Sequence, residues 1–239
     1  MKTIKITTIL IAAIAILGIS CKNKLRGKGP IESQTFTVGS FSKVDLSYSA
    51  NVNYAYGEKQ SVIIQAQQNV LDRMEIKTSG NTLQLDFKNR TRLLTYDEIT
   101  VTITSPAFNG ASISGAGNVN VFGEFTTGDV NIDVSGAGKI EIQSIFANRM
   151  YTDVSGSGDV RIFNGKVDYF ETNISGAGSV DAFNLESKAA SVSTSGAGTT
   201  KVWATEKLTV DISGSGSTTY KGTPAVEVDI SGSGSLNAL

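Results

Sequence analysis

The chain has 239 residues with 21 basic and 22 acidic side chains, no histidine and one cysteine. The missing histidine removes the commonest general base, the Ser-His-Asp and Cys-His arrangements and imidazole metal sites. One cysteine excludes an internal disulfide, and the near-neutral charge argues against nucleic acid as a partner and against an electrostatic membrane patch.

Lys2 and Lys5 precede an apolar run from Ile9 to Ile19, followed by Ser20 and Cys21. A basic start, a short apolar core and a small residue before the cut describe an export signal over residues 1–20 rather than a membrane span. Cys21 stands where bacterial lipoproteins carry their acylated first residue, so it is the expected lipidation site. Loss of residues 1–20 removes two lysines and leaves a charge of 19 − 22 = −3. Residues 21–33 hold glycines and lysines with no apolar period and read as a flexible tether. Some surface-exported bacterial lipoproteins carry an acidic tract just after the cysteine; set beside them, the basic residues here favour the periplasmic face of an outer membrane over the cell surface.

Residues 34–110 alternate apolar and polar positions in Phe36-Val38, Val44-Leu46-Tyr48, Val52-Tyr54-Tyr56, Val62-Ile64, Leu83-Leu85-Phe87 and Ile99-Val101-Ile103. Period two describes half-buried strands, and 57–59 and 79–81 carry turn residues. Helix is expected only as a short piece near Asn69–Met74. The region is expected to cap the C-terminal repeats as antiparallel hairpins or irregular coils.

Residues 111–239 repeat Ser-Gly-Ala-Gly or Ser-Gly-Ser-Gly at Ser114, Ser135, Ser155, Ser175, Ser195, Ser213 and Ser231, spaced 21, 20, 20, 20, 18 and 18 residues. A branched apolar residue precedes most copies and another stands two residues after most of them. Coils of about 20 residues with glycine corners predict a right-handed parallel β-helix, each coil burying its apolar face on its neighbours. The corner glycines are Gly115 and Gly117, Gly136 and Gly138, Gly156 and Gly158, Gly176 and Gly178, Gly196 and Gly198, Gly214 and Gly216, and Gly232 and Gly234. Glycine suits a bend that needs positive φ or very close packing. The corner serines are expected to hydrogen-bond turn backbone. Seven equivalent hydroxyls without a base are no nucleophile. The whole of 34–239 is expected to form one structural domain, with an exposed last coil open to a partner or to self-association.

Two columns bear on function. Two places before each corner serine stand Ser112, Asp133, Asp153, Asn173, Ser193, Asp211 and Asp229. Stacking brings Asp133 and Asp153 together on adjacent coils; a solvated face is the ordinary reading, and paired carboxylates for glycosidic chemistry the sharper one. Five places past each corner stand Phe122, Gln143, Phe163, Phe183 and Trp203. Aromatic stripes are mostly core, so burial is expected. An exposed stripe would instead be a platform for sugar rings or a partner protein.

From about Phe36 onward the sequence resembles the head GIN domain of auto-transporter adhesins, common in Bacteroidetes. The resemblance rests on Phe41-Ser-Lys-Val-Asp-Leu46, Gln68-Asn-Val-Leu71, Asn81-Thr-Leu-Gln-Leu85, the serial corners, and Tyr220-Lys-Gly-Thr-Pro224. It implies a parallel β-helical domain on a secreted or lipid-anchored envelope protein and supplies no catalytic residue, metal ligand or cofactor. The expected function is that of a lipid-anchored, non-catalytic binding module for a glycan or envelope protein. The alternatives are a polysaccharide enzyme using Asp133 and Asp153, and a structural or sensory component that pairs through its exposed end.

Overall fold

Strict apolar–polar alternation gives each strand one dry face, and a strand in this chain dries it against the next turn of the same chain. The computed structural model describes residues 24–239, so the expected export signal and the expected lipidation site Cys21 lie outside the described residues. Strand makes up 73% and helix 3% of the described residues, which wind into a β-solenoid of about six turns. A typical coil joins Lys139–Gly156 to Asn118–Gly136 in three parallel runs: 139–142 on 118–121, 144–147 on 124–127, and 149–156 on 129–136. Inside that coil Ile140, Ile142, Ile145, Met150, Thr152 and Val154 are buried. Each is stacked on its counterpart one turn away, so the core is a bundle of side-chain columns along the solenoid axis.

The Ser-Gly-x-Gly corners pile up in register, Ser135 and Gly136 on Ser155 and Gly156, and these on Ser175 and Gly176. The two glycines of a corner serve different needs. Gly136 has φ +131°, and a Cβ there would lie 2.5 Å from the Gly115 carbonyl oxygen of the coil before. Gly138 has an ordinary backbone, but a Cβ on it would meet Ile113 Cγ2 at 2.7 Å and the Gly117 carbonyl oxygen at 2.8 Å. The corner backbone bonds from coil to coil: Ala137 N–H donates to Gly115 O (2.9 Å) and Ser157 N–H to Gly136 O (2.8 Å). The corner serines are exposed and their hydroxyls bond nothing among the described residues. The expected serine-to-backbone bonding is therefore corrected: coil-to-coil amide bonds already satisfy the turn.

The N-terminal region contributes a coil out of chain order. Lys43–Leu46 lies parallel between Thr82–Phe87 and Gly110–Gly115. Asn51–Tyr56 lies parallel between Thr100–Ser105 and the start of Asn118–Gly136. Register equates Leu46 with Ile113 and Asn51 with Asn118, so Ser47-Tyr48-Ser49-Ala50 occupies a corner without glycine. In the terminal coil the same corner is replaced by the longer excursion 86–99. Antiparallel pairs complete the cap: Ile31–Phe36 on Ser61–Gln67, Ser61–Gln67 on Thr100–Ser105, and Met74–Ser79 on Thr82–Phe87. A helical turn, Gln68–Leu71, comes directly after Ser61–Gln67, and a 3-10 turn stands at Lys88–Arg90. Where the sequence reads a tether, the structure has strands: Lys24–Arg26 pairs in parallel with Arg92–Thr95, and Ile31–Phe36 belongs to the cap.

Candidate functional site: an aromatic side of the solenoid

The outward positions of the run after each corner form a flat grid, because strand parity sends every second side chain to solvent. One column reads Asn51, Asn118, Lys139, Asp159 and Ser179, and the next Asn53, Asn120, Glu141, Arg161 and Asp181. Neighbours bond along the axis: Asn118 Nδ2 donates to Asn51 Oδ1 (2.7 Å), and Ser179 Oγ donates to Asp159 Oδ1 (2.5 Å). Lys139 and Glu141 pair at 2.6 Å. Such a face is polar but internally satisfied.

The aromatic stripe borders this grid. Phe122 is 48% and Phe163 42% exposed, while Phe183 and Trp203 are half-buried. The expected burial of the stripe is thus corrected: parity turns it away from the Val and Ile columns, and no corner turns it back. Phe122 and Phe163 flank Gln143 across an open groove of about 410 Å³ that Asn120 and Glu141 also line. Gln143 Oε1 accepts the Gly123 N–H at 2.7 Å, which fixes the groove floor. The Arg161 guanidinium sits 4.7 Å from the Phe163 ring centre. Further along, the Lys221 ammonium lies 4.6 Å from the Phe183 ring and 4.2 Å from the Trp203 ring. Counting from the corners sets Trp203 beside Phe183; the shorter coil slips the register so that Trp203 pairs with Glu186.

One contributor escapes a reading of the sequence: Lys221 bridges the last two rings of the stripe. Its place after a corner, where four of the five preceding coils carry an aromatic residue, could have revealed it. At the N-terminal end register sets Ala55 beside Phe122, and the exposed Tyr56 ring stands 5.9 Å from the buried Phe125.

Asp133 and Asp153 are register partners on adjacent coils, and both are exposed on an open face. Desolvation by the packed coils raises the Asp133 carboxyl above its ordinary value; the charges of Asp153 and Asp45 add to this and Lys43 opposes it. Among the described residues no three His, Cys, Asp or Glu side chains gather as a metal site.

Stacked parallel coils with a partly exposed aromatic edge and a satisfied polar flank define a β-solenoid with one flat, aromatic-edged side. The sequence matches the family "Putative auto-transporter adhesin, head GIN domain" over residues 40–224, and the chain belongs to that family. It is similar in structure to a "putative adhesin" from Bacteroides fragilis, with 27% identity, a TM-score of 0.84, and coverage of 90% of this chain and 100% of that one. A "putative lipid binding protein" from Parabacteroides distasonis shares the fold at 22% identity and a TM-score of 0.72, covering 91% of this chain and 100% of its own. A "putative adhesin" from Parabacteroides merdae does so at 19% and 0.68, covering 91% and 99%. No curated protein matches the sequence.

Proposed function

We propose that the chain is a non-catalytic, adhesin-like binding module of the bacterial envelope, tethered through an acylated Cys21, whose aromatic side takes a glycan chain. The observation that carries this reading is the pair Phe122 and Phe163, both solvent-facing, set on either side of Gln143 in one groove. The two rings stand two coils apart, about 10 Å by the parallel-strand spacing, a span that consecutive sugar residues cover. Sugar rings present C–H faces that lie on aromatic rings, while amide and carboxylate groups take the hydroxyls between them. Family membership and the relatives' names support an envelope or surface setting and a contact function rather than turnover. No helix among the described residues is long and apolar enough to cross a membrane. An open face with exposed carboxylates at Asp133 and Asp153 lacks the enclosure that glycosidic chemistry uses.

A screen of envelope and host polysaccharides by affinity electrophoresis tests the reading. The protein is expected to be retarded by at least one polysaccharide, with the retardation lost in Phe122→Ala/Phe163→Ala. Equal retardation of the double variant removes the aromatic side as the site, and release of reducing ends, abolished in Asp153→Asn, replaces binding by catalysis.

A further inference from the structure

The cations of the solenoid body are mostly neutralised. Lys139, Arg161, Lys166, Lys188 and Lys207 each stand within ion-pair distance of a carboxylate. A different rule holds in the small sheet at the terminal coil. Lys24–Arg26 pairs with Arg92–Thr95 in a register that sets Lys24 beside Arg92 and Leu25 beside Leu93. Leu25 and Leu93 pack against the core, so Lys24, Arg26 and Arg92 all point outward and are exposed. Lys28 comes next on the same edge, its N–H held by Asn69 Oδ1 at 2.9 Å. Among the described residues none of these four has a carboxylate within ion-pair range. The nearby Glu98 is drawn toward the body, where it accepts from Asn51 Nδ2. Alternation also puts Leu94, 42% exposed, outward with Arg92.

We propose that this basic face is a membrane-docking surface that seats on the anionic headgroups of a lipid bilayer. Covalent reach carries the argument: Lys24 is three residues from Cys21, so the sheet starts at most about 11 Å along the chain from that residue. That distance is close to one Debye length at physiological salt, within which a bilayer's surface charge still acts. The net charge of the chain hides the patch because the paired acids and bases of the body cancel. Docking here also orients the solenoid, since the terminal coil then faces the lipid and the last coil, Ala225–Gly232, lies at the far end of the stack. Leu94 would enter the headgroup layer beside the arginines.

The proposal rests on the envelope reading, the Cys21 tether included; its test uses residues 21–239 carrying Cys21→Ser, so that the basic face is measured without an acyl chain. Co-sedimentation is measured with phosphatidylcholine vesicles and with the same vesicles containing phosphatidylglycerol. Binding is expected only with phosphatidylglycerol and is expected to fall as salt is raised. Lys24→Gln, Arg26→Gln and Arg92→Gln are each expected to weaken it about five-fold, with the melting temperature and the polysaccharide retardation unchanged. Charge removal at Lys166, in the body, is expected to leave vesicle binding as it was. Equal binding to both vesicle types, no binding to either, or full binding by the triple Gln variant overturns the proposal. Loss of polysaccharide retardation in Phe122→Ala/Phe163→Ala with vesicle binding intact separates the two surfaces.

Discussion

Gly156 stands directly over Gly136 in the corner ladder, and a methyl group on Gly156 would come within 2.6 Å of the Gly136 carbonyl oxygen. The same residue has φ +117°, so alanine there meets backbone strain and a backbone clash together. Gly115, at the first regular corner, has φ +150° but no atom within 4 Å of the corresponding Cβ. Gly156→Ala is therefore expected to cost about 2–5 kcal/mol and Gly115→Ala about 1–2 kcal/mol. Denaturant titration of the two variants checks the order; equal losses would mean that strain, and not stacking, sets the glycine requirement.

Thr152 and Thr172 are register partners in an otherwise apolar column, with Ile132 on one side and Val192 on the other. Both hydroxyls are buried without a hydrogen-bond partner. Valine has nearly the same shape and no polar atom to desolvate, so Thr172→Val is expected to stabilise the fold by about 1 kcal/mol. Calorimetry should show a rise of roughly 2–4 °C in melting temperature. A fall would reveal that the hydroxyl is bonded in solution.

Trp203 is the single tryptophan of the chain, which makes its emission a reporter of Lys221. Removing the ammonium by Lys221→Met takes away two ring contacts at once. The expected cost is about 1 kcal/mol or less, together with a shift in tryptophan emission. An unchanged spectrum would show that the lysine does not rest on the indole in solution.

Asp133 gives a pH-dependent prediction. Its folded-state carboxyl holds the proton more tightly than the ordinary 3.8, so its contribution to stability is full below that value and is lost as pH rises through the folded-state pKa. Asp133→Asn is accordingly expected to raise the melting temperature at neutral pH. The difference from the parent should shrink as the pH is taken down to 3.8 and below. A constant difference over that range would place the gain in something other than the charge.

The regular coils were legible because their signal is local: each Ser-Gly-x-Gly marks one bend, and glycine spacing fixes which residues stack. The coil of 43–56 was not legible in that way. Its corner, Ser47-Tyr48-Ser49-Ala50, has no glycine, and its neighbours lie dozens of residues downstream, so no periodicity announces them. The aromatic side was legible as a column, but its exposure was not. Parity pointed outward at Phe122 and Phe163, and the general tendency of aromatic residues to be buried argued the other way; parity prevailed because the paired residues just before them, Val121 and Ile142 with Ile162, are fixed inward by register. The basic sheet was unreadable in the sequence because Lys24–Arg26 and Arg92–Thr95 are far apart along the chain and each is too short to show a pattern.

The displaced coil also constrains the order of assembly. Residues 43–56 leave the ribosome before 82–105 and 110–122, yet they end up sandwiched between those two segments. Until both flanking turns arrive, this layer has two bare hydrogen-bonding edges and cannot seed a stack that grows outward from the N-terminus. Assembly is then expected to begin among the later repeats, whose partners are immediate neighbours in the chain, with the cap closing over them last. A translocating chain would meet its greatest danger of wrong strand pairing in that interval, when its earliest strands are already out and their partners are still on the way.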